Sequence, residues 1–283
     1  MKQFKDILLT ALAPIIWGST YLVTTELLAE HHPVTIALLR ALPAGLLMLL
    51  LVRQLPTGTW WGKIFILGAL NFSIFLVLLF ITAYRLPGGI AATLGATQPL
   101  IVIFLAYKML ESPLNIKIIS AALLGFIGVA LLILSPEKHL DPIGIIAGLG
   151  GAISMALGIV LTRKWQPPVP LLTFTAWQLT AGGILLIPVV IWIEPSIPHF
   201  TQANLVGITW LSLIGAAVAY FLWFRGISRI AINTLSTLGF LSPATAVILG
   251  WIALEQHLNP TQLLGLLIVF SSIWASQRST NQS

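Results

Sequence analysis

The sequence predicts an all-α polytopic membrane protein: ten transmembrane helices arranged as two inverted five-helix repeats, with both termini cytoplasmic. Three observations lead there. The 283-residue chain is 58% hydrophobic and 8% charged, against about 25% charged residues in a soluble domain. Long apolar runs recur between short polar breaks, the pattern of a chain that crosses a bilayer many times. One stretch also occurs twice, as Thr93–Asn115 and Thr237–Asn259, aligned without a gap at a shift of 144 residues. The shift is about half the chain, which reads as an internal duplication.

Taken in order, the apolar runs measured against about 20 residues per helical crossing give ten spans. They cover approximately 7–28, 34–52, 64–84, 89–109, 116–134, 143–162, 171–193, 204–224, 231–253 and 260–276. Turn-forming residues separate them: His31-His32-Pro33, Pro56-Thr57-Gly58, Ser135-Pro136-Glu137, Gln166-Pro167-Pro168 and Glu194-Pro195. The first run follows Lys2 and Lys5 but is about one bilayer long and lacks a small-x-small cleavage site, so it reads as a retained helix.

Basic residues set the orientation. With the amino terminus inside, Lys2, Lys5, Arg53, Lys63, Lys108, Lys117, Arg163, Lys164, Arg225, Arg229 and Arg278 fall on the cytoplasmic side. Arg85 and Lys138 fall outside, and Arg40 falls within a span. That bias follows the positive-inside rule, and an even number of spans returns the carboxy terminus to the cytoplasm. The net charge of +6 therefore describes membrane insertion, with the bilayer as partner and no nucleic-acid site. Absence of cysteine excludes disulfides and thiolate metal sites.

The duplication divides the chain into a first five-helix repeat, 1–135, and a second, 136–283. Five is odd, so the second repeat enters the membrane inverted. Inverted repeats are a transporter device, because two halves in different conformations can exchange roles. The repeat centres on Pro99 and Pro243, which sit inside the fourth and ninth spans. Proline offers no N–H, so the carbonyls of Gly95 and Gly239 lose their helical partners. A helix break at membrane depth is tolerated where it is buried in protein or faces a watery cavity. Thr93, Thr97 and Gln98 surround the first break; Asn233, Ser236, Thr237 and Ser242 surround the second, with Phe240 among the aromatics that could line a cavity. These residues are candidates for a substrate cavity, or for a packing kink with hydroxyls bonded back to their own helix.

Ala83–Glu111, reading AYRLPGGIAATLGATQPLIVIFLAYKMLE, resembles the fourth-helix region of the EamA family in the drug/metabolite transporter superfamily. Trp17-Gly18-Ser19-Thr20 resembles that family's first helix. Two tandem units of that family would cover essentially all of 1–283. The resemblance implies a multi-pass protein of the bacterial inner membrane that exports small metabolites through a central cavity between its halves, without a cofactor. It leaves the substrate open, and adds Trp17, Ser19 and Thr20 to the candidate lining.

Charge inside the membrane is scarce, so the exceptions are informative. Arg40, in the second span, attracts a carboxylate on the substrate, pairs with Glu26 at the end of the first helix, or snorkels to the outer headgroups. Glu26 is the candidate for proton exchange, or a solvated helix end. Glu111 and Glu255 close matched helices, where an acid opposes the helix dipole, and read as structural or gating anchors. Among aromatics, Trp17 and Trp177 lie deep enough to line a cavity, whereas Tyr84 and Trp223 read as interfacial belt residues. Gln178 and Asn71 must find polar partners within the bundle. Gly144, Gly148, Ala152 and Ala156 form a seam of small residues, either within the chain or between the subunits of a homodimer.

The main reading is therefore a secondary exporter of small, partly apolar, amino-acid-like metabolites, working by alternating access. The alternatives are an intramembrane enzyme, a passive channel or a scaffold subunit. The sequence contains no His-Glu-x-x-His, no Gly-x-Ser-x-Gly and no Walker-type phosphate loop.

Overall fold

The computed structural model describes residues 2–28, 32–86, 94–133, 141–194, 200–253 and 259–280. Among these, every regular element is helical. Seven helices are long and apolar enough to cross a membrane: Phe4–Thr24, Pro33–Val52, Trp60–Arg85, Pro142–Trp165, Leu171–Ile193, Gln202–Arg229 and Ile232–Ala253. Two shorter apolar helices, Gln98–Leu110 and Ile116–Leu131, accompany them. The chain is thus an integral multi-pass membrane protein.

The elements are α1 (Lys2–Leu27), α2 (Pro33–Val52), α3 (Trp60–Gly68), α4 (Ile74–Arg85), α5 (Gln98–Leu110), α6 (Ile116–Ile133) and α7 (Pro142–Trp165). They continue as α8 (Leu171–Ile193), α9 (Gln202–Thr209), α10 (Ala219–Arg229), α11 (Ile232–Leu238), α12 (Leu241–Ala253) and α13 (Pro260–Thr280). Two π-helical segments join α3 to α4 (Ala69–Ser73) and α9 to α10 (Trp210–Val218). Both composite rods end on arginines, Arg85 and Arg229, that stand 144 residues apart.

Local sequence explains the helix ends. Asp141 accepts the Ile143 N–H at 2.8 Å, with Pro142 in the first turn, where its missing N–H costs nothing. Thr201 and Asn204 form a reciprocal capping box on α9. The matched asparagines at the end of the duplicated stretch are caps as well. Asn115 Oδ1 accepts the Lys117 N–H, and Asn259 Oδ1 accepts the Gln262 N–H. Glu111 ends α5 in left-handed backbone, φ 55°, and is exposed. Glu255 lies outside the described residues.

Packing follows the duplication. Helix α2 runs antiparallel to α8: Glu194 at the end of α8 accepts the Val34 and Thr35 N–H groups at the start of α2, at 3.0 and 2.8 Å. A Cβ on Gly45 would fall 2.7 Å from the Leu179 carbonyl carbon, so only glycine admits that approach. Helix α6 runs antiparallel to α13, with Ser272 Oγ donating to Ala121 O at 2.6 Å and Gly128 against Val269. Helix α1 packs on α10 and its π segment, and α7 on α4 and its π segment. Each contact joins the first helix of one half to the third rod of the other. The chain's two aspartates seal these contacts: Arg85 pairs with Asp141 at 2.8 Å, and Asp6 pairs with Arg225 and, at 3.6 Å, with Arg229. The small-residue seam is an internal contact, since Gly144 faces Leu86 and Gly148 faces Leu94 and Thr82.

Candidate functional site

The two broken helices meet at a cavity of about 470 Å³. In the first half the chain turns at Ala96–Thr97, and α5 restarts with Pro99 in its first turn. In the second it turns at Gly239–Phe240, and α12 restarts with Pro243 in its first turn. Each proline therefore begins a helix after a break rather than kinking a continuous one, because a first-turn residue needs no intrahelical N–H bond. Thr97 holds the first turn, donating to Leu94 O at 2.6 Å.

The lining carries the duplication into three dimensions. Gly95, Gln98 and Pro99 face it from one break; Gly239, Ser242 and Pro243 face it from the other. Ala96 with Phe240, and Leu79 with Trp223, are further lining pairs separated by 144 residues. Helix α1 contributes Trp17, Thr20 and Thr24, and α2 contributes Arg40. Tyr220 of α10 and Ser236 of α11 complete this side, with Ser236 Oγ donating to Asn233 O at 2.8 Å.

The π segments explain how polar side chains are held at this depth. A π bulge removes carbonyls from the regular i to i−4 ladder and leaves them to other donors. Gly215 O, in the second π segment, accepts Trp17 Nε1–H at 3.0 Å and Arg40 Nη2–H at 3.3 Å. Leu70 O, in the first, accepts the Ser154 hydroxyl at 2.8 Å. Trp17 then stands against Tyr220 and Trp223, with ring centroids 4.9 and 5.3 Å apart. Arg40 is 3% exposed and sits in the cavity wall. Of the three expectations for it, the structure places its side chain facing the cavity rather than reaching toward headgroups.

Several candidates lie elsewhere. Ser19 donates to Ile16 O and accepts from Trp210 Nε1, on the seam between α1 and the second π segment. Asn71 and Gln178 bond to each other at 2.7 Å, fully buried between the third rod and α8, and neither lines the cavity. Trp177 belongs to a separate apolar cluster with Ile64, Leu67 and Phe174, and its Nε1 donates to Gln54 O at 2.6 Å. Asn233 is buried in the first turn of α11 without lining the cavity, and Glu26 is exposed. Thr93 lies outside the described residues. The belt assignment of Trp223 is corrected, since it is 1% exposed in the cavity wall. Tyr84, near the end of α4, is exposed and also lines the cavity. For Trp223, distance from a span's end gave its depth but not its helix face.

Sequence reasoning missed Phe75, Leu79, Phe80 and Met155, apolar lining residues with no chemical signature of their own. Tyr220 and Trp223, both aromatics that the sequence offers for a cavity lining, stand three apart on one helix, and Trp223 repeats the position of Leu79.

A chain of membrane-crossing helices, with two duplicated helix breaks around one cavity, defines a membrane transporter. The EamA-like transporter family model matches it twice, over residues 4–134 and 142–276. The chain belongs to that family, within the drug/metabolite transporter superfamily, and is a transporter and not an enzyme. It is 45% identical to Protein PecM of Dickeya dadantii (strain 3937) over 263 residues, 92% of this chain and 88% of that protein. It is 27% identical to the uncharacterized transporter YvbV of Bacillus subtilis (strain 168), covering 96% and 92% of the two chains. The uncharacterized inner membrane transporter YedA of Escherichia coli (strain K12) is 27% identical, with 92% and 86% covered. One solved crystal structure superposes with a TM-score of 0.83 over 97% of this chain and 96% of its own, at 17% identity. That likeness shows the fold.

Proposed function

We propose that the protein exports small, partly apolar metabolites across a bacterial inner membrane by alternating access. In this reading the chain crosses ten times as two inverted repeats, 1–135 and 136–283, with both termini cytoplasmic. The observation that carries it is the meeting of both helix breaks, Gly95–Pro99 and Gly239–Pro243, at one cavity. Antiparallel packing of α2 on α8 and of α6 on α13 is what a twofold axis in the membrane plane gives for equivalent helices of inverted repeats. YedA's printed name describes an inner membrane transporter, which supports the location. The cavity runs from the breaks toward Thr24 and Tyr84, the outer ends of their helices by the basic-residue bias. In this reading the Asp6, Arg225 and Arg229 cluster lies toward the cytoplasmic side by the same bias.

Reconstitution in liposomes tests this. Efflux of a labelled panel of aromatic, aliphatic and hydroxyl amino acids, nucleobases and a cationic dye is compared with a Pro99→Ala, Pro243→Ala double variant. Saturable efflux of one class, lost in the variant, is the expected result. Flux that rises linearly with concentration and shows no competition between solutes would make the protein a channel instead.

A further inference from the structure

We propose that Gln98 and Ser242, one position repeated in the two halves, read the polar head of the transported solute, and that this head is a neutral group with a donor beside an acceptor, such as a carboxamide or lactam. The inference rests on the transport reading above and deepens it. Three observations carry it.

The first is place. Gln98 and Ser242 stand 144 residues apart, each immediately before the proline in the first turn of its helix, and both line the cavity. Gly95, three residues before Gln98, is exposed in the same wall, and a Cβ there would meet nothing within 4 Å. The cavity is therefore open beside Gln98. Its volume, about 470 Å³, suits one small molecule.

The second is availability. The other polar side chains of the wall are engaged, sealed or peripheral. Trp17 Nε1 and Arg40 Nη2 donate to Gly215 O, and Ser236 Oγ donates to Asn233 O. Thr20 Oγ1, Thr24 Oγ1 and Trp223 Nε1 are buried beneath the wall's surface, and Tyr220 is 1% exposed. Tyr84 stands at the rim, near the end of α4. Gln98 and Ser242 are only partly buried, and among the described residues neither side chain has a hydrogen-bond partner. Water or a solute supplies what the protein does not.

The third is chemistry. A glutamine amide has N–H donors on one side and a carbonyl acceptor on the other, and a serine hydroxyl both gives and accepts. A carboxylate only accepts, so it leaves Gln98 Oε1 facing another oxygen. An ammonium only donates, so it leaves the Gln98 Nε2–H groups unmatched. A carboxamide or lactam edge closes two N–H···O bonds with Gln98 at once. A neutral head also enters a wall made largely of side chains such as Phe75, Leu79, Phe80 and Met155 at far lower desolvation cost than an ion.

Four probes share one body: 3-phenylpropanamide, methyl 3-phenylpropanoate, 3-phenylpropanoate and 3-phenylpropylamine. Equilibrium dialysis against the purified full chain in detergent at neutral pH should rank the amide first. Ester, acid and amine should each bind about tenfold more weakly, the difference that one or two neutral hydrogen bonds make. Gln98→Met should bring the amide down to the ester and leave the ester unchanged, while Ser242→Ala should weaken both. Gln98→Glu, which replaces the donor with an acceptor, should turn the ranking toward the amine, an inversion that a merely structural role does not give. The wild-type ranking carries the test if a variant fails to fold. An ester or acid bound as tightly as the amide, an unchanged amide-to-ester ratio in folded Gln98→Met, or no probe bound at millimolar concentration overturns the inference. Counterflow in liposomes keeps the two readings apart. Amide bound but not carried sinks transport and leaves the recognition standing; saturable transport with no preference for the amide does the reverse.

Discussion

Among the described glycines, Gly158 meets a polar side chain most closely, that of Asn71. Asn71 is fully buried and donates from Nδ2 to Gln178 Oε1 at 2.7 Å, while its carbonyl end lies on the bare backbone of Gly158. A Cβ at position 158 would stand 2.6 Å from Asn71 Cγ and closer still to Oδ1. Ordinary carbon–carbon contact is about 3.5–4.0 Å, so Gly158→Ala must push the amide about 1 Å aside or separate α7 from the third rod. Overpacking of this kind costs about 1–3 kcal/mol. Misaligning the amide bond adds about 0.6 kcal/mol, the average for polar contacts between membrane helices. Asn71→Ala removes the obstacle, so Gly158→Ala should cost less than about 0.5 kcal/mol in that background. The assay is a double-mutant cycle by SDS titration of the detergent-solubilised protein, followed by the fluorescence of its ten tryptophans. A coupling of about 1–3 kcal/mol is expected. Additivity within about 0.5 kcal/mol would refute the packing argument.

Three further outcomes follow from the geometry. Trp17→Phe keeps a ring against Tyr220 and Trp223 but loses the bond to Gly215 O; it should cost about 1 kcal/mol of stability and slow efflux severalfold in liposomes. Asp6→Asn should lower the melting temperature more than Asp141→Asn. Asp6 is 16% exposed and meets two arginines, whereas the Arg85–Asp141 pair is 46% and 31% exposed and screened by solvent. The hydrogen bond from Arg85, followed by the Ile143 N–H, holds the Asp141 carboxyl below its ordinary range. A depressed native value stabilises above the unfolded value, about 3.9, and that contribution disappears as pH falls through the native value. Asp141→Asn should therefore lower melting slightly and by a constant amount between pH 5 and 7, and the difference from wild type should shrink as pH falls below about 4. A difference that is as large at pH 3 as at pH 6 would contradict this.

Much of the architecture was legible because hydrophobic length and duplication are properties of sequence order. The 144-residue shift located both helix breaks, and five shifted pairs line the cavity: Leu79 with Trp223, Gly95 with Gly239, Ala96 with Phe240, Gln98 with Ser242, and Pro99 with Pro243. Helix face was less legible. Asn71, Gln178 and Trp177 lie within helices long and apolar enough to cross a membrane, yet they pack between helices, because a span's ends fix depth and not rotation. Trp223 was misread for the same reason. The π segments leave no compositional mark, although they supply the carbonyl of Gly215 that receives Trp17 and Arg40. Their matched positions became visible only in the backbone. Family membership also removes the intramembrane-enzyme alternative, which absent motifs had argued against without replacing.

The central claim is that both broken helices open onto one pathway, reached from the outer side. The chain has no cysteine, so single-cysteine variants report without background. Gln98→Cys and Ser242→Cys, one from each break, are exposed on intact cells to a membrane-impermeant maleimide, with buried Asn71→Cys as the control. The expected result is labelling of both break positions from outside, with Asn71→Cys unreactive. Labelling of the two breaks from opposite sides, or of neither above the control, would contradict a shared cavity.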